Sequence, residues 1–441
     1  MTVAPEILSD VERLDPEQQR TLQENRLPAQ IEHARSGSRF YAARLGDGRV
    51  RSLEDLAELP FTTKQELRDA QGEDPPLGTV AGVPRDRLSR LHVTSGTTGT
   101  PLLIGFTARD LESSTRAGLR AFSAAGVRPG QTVLHCVNYS FYVGGVADHL
   151  SVEATGATVV PVGLGQSERL LDLFPVLRPD AMFAITSYAQ HLAEVARRKG
   201  LDPAELGLRT LVTGGEPGGD TPDVRARIEA TWNARVGDTY GLGEVWPTFA
   251  AHCELRDGLH PTAPDLLVIE LVDLETGRPL EWARGRTGEL VYTHLGREAS
   301  PLVRFRSGDV AAVLAVECRC GRRTPRFRLL GRTDDMLVVR GVNVFPSAVE
   351  QVLSEAVPGL RAFAVVVDQP VPRPPLLVFV EADGELDTEA LAQLMRERLQ
   401  VQVALRLLPR GTMAPTEHKA KRLWRRYAGE EPPWAGQGGP A

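Results

Sequence analysis

Between two strand-like segments the sequence runs His-Val-Thr-Ser-Gly-Thr-Thr-Gly-Thr-Pro from His92 to Pro101. Ser95, Thr97 and Thr98 supply hydroxyls, and Gly96 and Gly99 let the backbone turn and come close to a ligand. Such a segment can present O–H and backbone N–H groups to phosphate oxygens. A Walker-type loop would close on Gly-Lys-Ser/Thr, whereas this one closes on Gly99-Thr100-Pro101, so a Walker ATPase is disfavoured. On local chemistry alone a plain turn is the competing reading.

Other segments carry groups that would complete a nucleotide site. Asp238–Val245, "DTYGLGEV", places Tyr240, Gly241 and Glu244 directly after a strand–helix unit, where the carboxyl ends of parallel strands form ligand crevices. "VRFRSGDVA" sets Asp309 after a glycine, in position for a carboxylate to take both hydroxyls of a ribose. "LLGRTDDMLVVRGVNVFPSAVE" joins Arg332, the pair Asp334 and Asp335, and a turn at Gly341. Lys419 and Lys421 stand near the end in "EHKAKRL". The blander readings are helix caps for Asp309 and Asp334 and a solvated basic helix for the two lysines.

Cys253, Cys318 and Cys320, with His260 seven residues after the first, offer three thiolates and one imidazole. That donor set suits a closed tetrahedral zinc site. The alternative is a group of buried free cysteines, and Cys136, in an apolar strand, reads as core.

These residues need a frame. The chain has 441 residues, 42% hydrophobic and 24% charged, which corresponds to roughly two to four domains. A net charge of −6 gives no basic field for nucleic acid, and no apolar run approaches the roughly 20 residues of a membrane span. The acidic N-terminus lacks the pattern of a secretory signal, and four unevenly placed cysteines fit a reducing cytoplasm. Residues 1–80 read as a helical layer, with "TTKQELRDA" starting a helix on a capping residue. From about 88 to 250, strands ("LSRLHVT", "QTVLHCV", "ATVVPV", "AMFAIT", "LRTLVTGG", "ARVGDTYG") alternate with helices, which predicts βαβ units and a mostly parallel sheet. From about 265 the pattern turns β-rich and antiparallel. The expected fold is therefore α/β: a large N-terminal domain with mostly parallel sheets flanked by helices (81–333, beneath the 1–80 layer), a β-rich subdomain from about 265, and a small mobile α+β C-terminal domain at 334–428. The Gly/Pro-rich tail at 429–441 is expected to be disordered.

In order and spacing, "TSGTTGTP", "TYGLGEV", "FRSGD", "GRTDDMLVVRGVNVFP" and the late lysine resemble the adenylate-forming enzymes, over about residues 50–425. "LPFTTKQELRD" (59–69) makes the phenylacetate-CoA ligase branch the one the chain is most similar to. The resemblance implies ATP-dependent activation of an aromatic or related carboxylic acid to an acyl-adenylate, followed by thioester formation with CoA. It leaves a carrier-protein phosphopantetheine or an amine as alternative acceptors, and a non-catalytic acyl- or nucleotide-binding homologue as a different class.

By that resemblance Ser95, Gly96, Thr97, Thr98 and Gly99 hold the ATP phosphates and Glu244 ligates Mg²⁺. Gly214, Gly215, Glu216, Pro217, Thr239, Tyr240 and Gly241 surround adenine, while Asp309 and Arg332 meet the ribose. Asp334 is the hinge, Gly341 lines the thiol channel, and Lys419 enters with the small domain as the catalytic cation. Tyr139, Phe141, Tyr142, Gly214 and Trp246 are candidates for the acyl pocket, with His149 near the crevice. Zinc-carrying relatives share the order of Cys253, His260, Cys318 and Cys320, and a homodimer is a further expectation. The chain departs from its relatives at Thr100, where they carry lysine, and at Ser187, where they usually carry proline.

Overall fold

The structure is a computed structural model that describes residues 9–94, 101–413 and 421–434. The phosphate-loop candidates Ser95 to Thr100, the catalytic candidate Lys419 and residues 435–441 lie outside the described residues.

The N-terminal layer begins with helices Asp10–Arg13, Pro16–Gly37, Arg39–Arg44 and Leu53–Ala57. Asp15 starts the 22-residue helix by accepting the Gln18 N–H, with Pro16 at the position where a missing N–H costs nothing. Its buried face, Leu27, Ile31 and Ala34, packs with Tyr41, Leu56, Val268, Leu295 and Val303. The helix Lys64–Gly72 opens on the expected capping box between Thr63 and Glu66. Just before it, Thr62 exchanges backbone hydrogen bonds with Arg304 and Arg306, each 2.9 Å, which clamps the start of that helix to the sheet.

The first two strands, β1 (Arg90–Val93) and β2 (Leu103–Phe106), form an antiparallel pair of their own. The strand–helix alternation predicts "LSRLHVT" as a strand of the parallel sheet, and the structure differs. The connection 94–102 is shorter than the dozen or so residues a parallel crossover requires, so the two strands can only fold back on each other. The predicted phosphate-loop residues, Ser95 to Gly99, fall between these two strands in the sequence and lie outside the described residues.

Five parallel strands follow: β3 (Thr132–Cys136), β4 (Thr158–Pro161), β5 (Ala181–Ala184), β6 (Thr210–Gly214) and β7 (Arg235–Tyr240). Helices Val143–Ala154, Ser167–Leu177, Thr186–Arg198 and Pro222–Trp232 make the crossovers. Strands β5 and β6 are buried along their whole length, as strands covered on both faces must be. The spatial order β4-β3-β5-β6-β7 means that the chain leaves β3 in one direction and returns on its other side. The gap between the carboxyl ends of β3 and β5 is therefore the switch point where α/β sheets bind ligands.

The β-rich segment is not a separate sheet. Strands β8 (Ala250–His252), β9 (Leu259–Pro261), β10 (Leu267–Val272), β11 (Pro279–Leu280), β12 (Thr287–His294), β13 (Phe305–Ala315) and β14 (Arg326–Arg332) extend from β7 in antiparallel pairing. Together they make one twelve-stranded sheet ordered β11-β10-β12-β13-β14-β9-β8-β7-β6-β5-β3-β4. The largest core cluster spans its antiparallel part, around Trp246, Phe249, Tyr292, Phe305 and Phe327.

A hairpin of β15 (Leu337–Val339) and β16 (Val342–Val344) leads into the small C-terminal unit. There β17 (Leu360–Val367), β18 (Leu376–Ala382), β19 (Val403–Leu407) and β20 (Leu423–Arg425) form a sheet ordered β19-β18-β17-β20, with helices Pro346–Ala356 and Thr388–Leu399. The first residues of the supposedly disordered tail are folded: Trp434 is buried against Phe379 and Trp424. A large aromatic side chain gains enough from burial to order a Pro-rich segment beside it.

Candidate active site

The turn after β6 carries Gly214, Gly215, Glu216 and Pro217 along the carboxyl edge of the sheet. A Cβ on Gly214 would lie 2.4 Å from the Thr239 hydroxyl of the neighbouring strand, so the two strand ends are in contact. The backbone N–H of Ser187 donates to the Glu216 carboxylate. A proline at this position would have no N–H and could not make this bond, so Ser187 anchors the turn. On the next strand end, a Cβ at Gly241 would fall 1.9 Å from the Pro247 carbonyl oxygen, which makes glycine obligatory there.

Asp309 is not on a free turn but within β13, opposite Arg332 of β14. The residue is 6% exposed, and its carboxylate is gripped from both sides. The Tyr240 hydroxyl donates to Oδ2 at 2.6 Å, and Arg332 Nη1 donates to Oδ1 at 3.1 Å. Tyr240 is itself 3.0 Å from the Tyr292 hydroxyl, a partner that sequence reasoning missed. Burial first, then the Asp309 charge, keeps the Tyr240 phenol well above its ordinary pKa and neutral. Burial is the largest influence on the Arg332 guanidinium and would lower it, but the Asp309 charge, the Asp334 hydrogen bonds and the Asp334 and Asp335 charges together outweigh it and the net shift is upward. Arg332 also forks onto Asp334 through Nε at 2.8 Å and Nη2 at 3.2 Å. Asp334, the hinge candidate, is thus tied by one guanidinium to the ribose candidate.

Glu244 is 6% exposed, and Lys64 Nζ reaches its carboxylate at 2.5 Å. The lysine comes from the first turn of the helix Lys64–Gly72, which Thr62 pins to the sheet. The sequence offered "LPFTTKQELRD" only as a branch marker, and pairing with a carboxylate 180 positions away gave no local signal. Glu244 could hold a dication through its buried carboxylate, and the ion would take over from Lys64 as its counter-charge.

The acyl-pocket candidates do not gather into one wall. Phe141 is 76% exposed and Tyr142 is 38% exposed, so neither is enclosed. Phe141 has φ 62, and its carbonyl accepts from Val93 N and bonds His92 Nδ1, which fixes the loop and leaves the ring outside. Trp246 is fully buried in the core beneath the Arg297 guanidinium, 4.5 Å from its ring. Tyr139 and Gly214 do meet a common neighbourhood, around His135 and Phe183 at the switch point. His149 joins them by bonding the Tyr139 hydroxyl at 2.8 Å.

Gly341 sits with Arg340 in the two-residue turn between β15 and β16, at φ 82 and φ 51. Two left-handed residues are what such a hairpin turn demands. A Cβ at Gly341 would meet open space, so its requirement for glycine here is conformational and not one of room. Lys421, the rival of Lys419, is held by Glu430 at 3.1 Å and lies over the Trp424 ring.

The Cys253, His260, Cys318 and Cys320 ligand atoms lie within 4.8 Å of one another. Cys253 Sγ is 3.8 Å from Cys318 Sγ, and Cys320 Sγ is 3.7 Å from His260 Nε2. These edges match the ~3.8 Å expected of a tetrahedron with Zn–S bonds of about 2.3 Å. His260 Nδ1 donates to the Thr324 carbonyl at 2.9 Å, which leaves Nε2 as the lone-pair atom facing the sulfurs. The donor set and its orientation fit zinc.

Comparison with known proteins now bears on this geometry. The family model described as "AMP-binding enzyme" matches residues 20–296, and its companion, "AMP-binding enzyme C-terminal domain", matches residues 341–426. The chain belongs to the AMP-binding enzyme family.

Among curated relatives of this AMP-binding enzyme is a phenylacetate-coenzyme A ligase of Thermus thermophilus, 40% identical over 352 residues, covering 78% of the chain and 77% of the relative. Two solved structures of 2-hydroxyisobutyryl-CoA ligase are similar along nearly their whole lengths. With 2-HIB-AMP in the postadenylation state the identity is 28%, the TM-score 0.89, and the coverage 97% of this chain and 95% of that one. With 2-HIB-AMP and CoA in the thioesterification state the identity is 30%, the TM-score 0.71, and the coverage 97% and 93%. The superposition of this AMP-binding enzyme is closer with the postadenylation-state structure than with the thioesterification-state structure. Here Arg227 donates to the Ser354 carbonyl at 2.9 Å and hydroxyl at 3.1 Å, and Arg361 pairs with Glu194 at 3.0 Å, bridging the two domains.

Proposed function

We propose that this AMP-binding enzyme activates an aromatic or related carboxylic acid with Mg-ATP and then passes the acyl group to CoA. A carboxylate oxygen of the acid attacks the α-phosphorus, the bond to the bridging oxygen breaks, and pyrophosphate leaves. The CoA sulfur then attacks the acyl carbon, its proton is lost, and AMP departs. The observation that carries this reading is the buried Asp309 carboxylate, held between Tyr240 and Arg332 beside the carboxyl edge of the parallel strands.

In this reading the loop Ser95, Gly96, Thr97, Thr98 and Gly99 cradles the phosphates, and Thr97 is its central hydroxyl. Glu244 holds Mg²⁺, which offsets charge on the leaving group. Lys64 holds that carboxylate in place until the metal arrives. Gly215, Glu216, Pro217, Thr239, Tyr240 and Gly241 line the adenine side, and Asp309 takes the ribose hydroxyls. Lys419 stabilises the charge developing at the α-phosphate, an electrostatic contribution of the kind made by an oxyanion hole. Rotation about Asp334 then brings Gly341 to the thiol path, so one crevice serves two half-reactions in turn. The cluster of Cys253, His260, Cys318 and Cys320 holds a structural zinc.

The test is AMP formation dependent on acid, ATP and CoA together, with the acyl-CoA product identified by mass. Adenylate formation without transfer to CoA, but with transfer to a carrier protein or an amine, would redirect the second half-reaction only.

A further inference from the structure

At the switch point, His135 of β3 and Phe183 of β5 are register partners. The His135 side chain is fully buried, yet neither imidazole nitrogen meets a hydrogen-bond partner outside its own residue. Its neighbours are aromatic: the Tyr139 ring at 5.0 Å, Phe183 at 5.4 Å and His149 at 5.8 Å. Other buried histidines here keep at least one partner, and His92, whose Nε2 is also unmet, bonds the Phe141 carbonyl through Nδ1. His260 is bonded by Thr324, and His252 is bonded by Asp220 and by the Asp238 N–H. Buried polar groups are almost always satisfied, so a buried side chain with two unmet nitrogens at a ligand crevice points to a ligand.

The chemistry of that ligand follows from the donors. Burial, followed by the His149 charge, lowers the His135 pKa to about 3, so at assay pH the imidazole is neutral and offers one N–H donor and one lone pair. The two point away from opposite sides of the ring, so a hydroxyl, which can donate or accept, pairs with one of them. Beside it the Tyr139 hydroxyl bonds His149 Nδ1 at 2.8 Å, and His149 Nε2 is fixed by Glu153 at 3.0 Å, so this second polar arm is already committed. Phe183 and Tyr139 set aromatic rings beside the imidazole, the surroundings against which an aryl ring packs well.

We propose that the acid activated by this chain is a hydroxylated aryl acid whose ring hydroxyl, remote from the carboxylate, is received by His135 at the β3/β5 switch point. The proposal rests on the adenylation reading above and narrows its substrate. His135 then acts as a specificity residue: a site that must hydrogen-bond a hydroxyl leaves its own buried groups unmet when the hydroxyl is absent.

The experiment compares kcat/KM for ATP–pyrophosphate exchange with 2-, 3- and 4-hydroxyphenylacetate and the hydroxybenzoates against their unsubstituted and methyl counterparts. With the wild-type chain, at least one hydroxylated acid should exceed both counterparts by ~100-fold or more. His135→Phe should bring that ratio to within about threefold of unity, mainly by raising KM for the hydroxylated acid, and His135→Gln, which keeps a donor and an acceptor, should retain part of it. Equal use of unsubstituted and hydroxylated acids by the wild type, a measurement that needs no variant, overturns the proposal. A preference that survives in His135→Phe also overturns it. If no acid of any kind supports exchange, the adenylation reading itself falls.

Discussion

The Tyr240 hydroxyl donates to Asp309 Oδ2 at 2.6 Å, joining the end of β7 to the middle of β13. Arg332 holds the other oxygen, so the carboxylate is positioned before any nucleotide arrives. Asp309→Asn should raise KM for ATP by roughly 10- to 100-fold, since hydrogen bonds to charged groups contribute about 1.5–3 kcal/mol each. Tyr240→Phe should cost less, because Arg332 still aligns the carboxylate. Steady-state kinetics on ATP would read both, and an unchanged KM in Asp309→Asn would remove Asp309 from the ribose site.

Lys64 and Glu244 form a largely buried pair at 2.5 Å. Removing one partner leaves a charge without compensation, and Lys64 is about one-third exposed, so the expected loss is about 1–3 kcal/mol rather than the larger loss of a fully buried pair. Lys64→Met should melt earlier than the wild type in chelator and recover part of the difference in millimolar Mg²⁺, which takes the place of the ammonium. Equal stabilisation of both proteins by Mg²⁺ would separate Glu244 from the metal.

The Cys253, His260, Cys318 and Cys320 set predicts about one zinc ion per chain. Elemental analysis of the purified protein measures it directly. Cys318→Ser should lose most of the metal and melt several degrees lower, with the wild type following on prolonged chelation. A fully folded wild type without metal would leave these residues as plain core.

Asp148 lies buried in the crossover helix Val143–Ala154 and accepts from Thr248 at 2.9 Å. Burial pushes its carboxyl up to about 7, whereas in the unfolded chain it titrates near 3.9. Between about pH 4 and 7 the folded protein therefore keeps a proton that the unfolded chain has lost, and stability from this group falls as pH rises. Asp148→Asn preserves the acceptor for Thr248 and removes the titration. Its melting temperature should gain on the wild type from pH 4 to 7, by on the order of 2 °C or more. Parallel pH profiles for the two proteins would contradict the shift.

What could be read from the sequence was what repeats locally. The alternation of apolar strands with helices gave β3 to β7 and their crossovers, because burial on both faces writes a continuous apolar run. The Thr63–Glu66 cap was legible because its partners stand three residues apart. Asp309, Tyr240 and Glu244 were legible as motifs, each in a short distinctive string. Relationships across the chain were not. Lys64 meets Glu244 only because Thr62 bridges to β13, and β1 leaves the parallel sheet only because its connection to β2 is short. Trp434 reads as part of a Pro/Gly tail until the Trp424 and Phe379 rings that cover it are in place. His135 looked like one more strand residue, and its two unmet nitrogens appear only once its neighbours are known.

Carboxylate-dependent ATP–pyrophosphate exchange, measured across a panel of aryl, heteroaryl and aliphatic acids with Lys419→Ala alongside, tests the central claim most directly. Exchange should require both an acid and Mg²⁺ and fall by at least ~100-fold in Lys419→Ala. Exchange absent with every acid, or equally fast in Lys419→Ala, would contradict it.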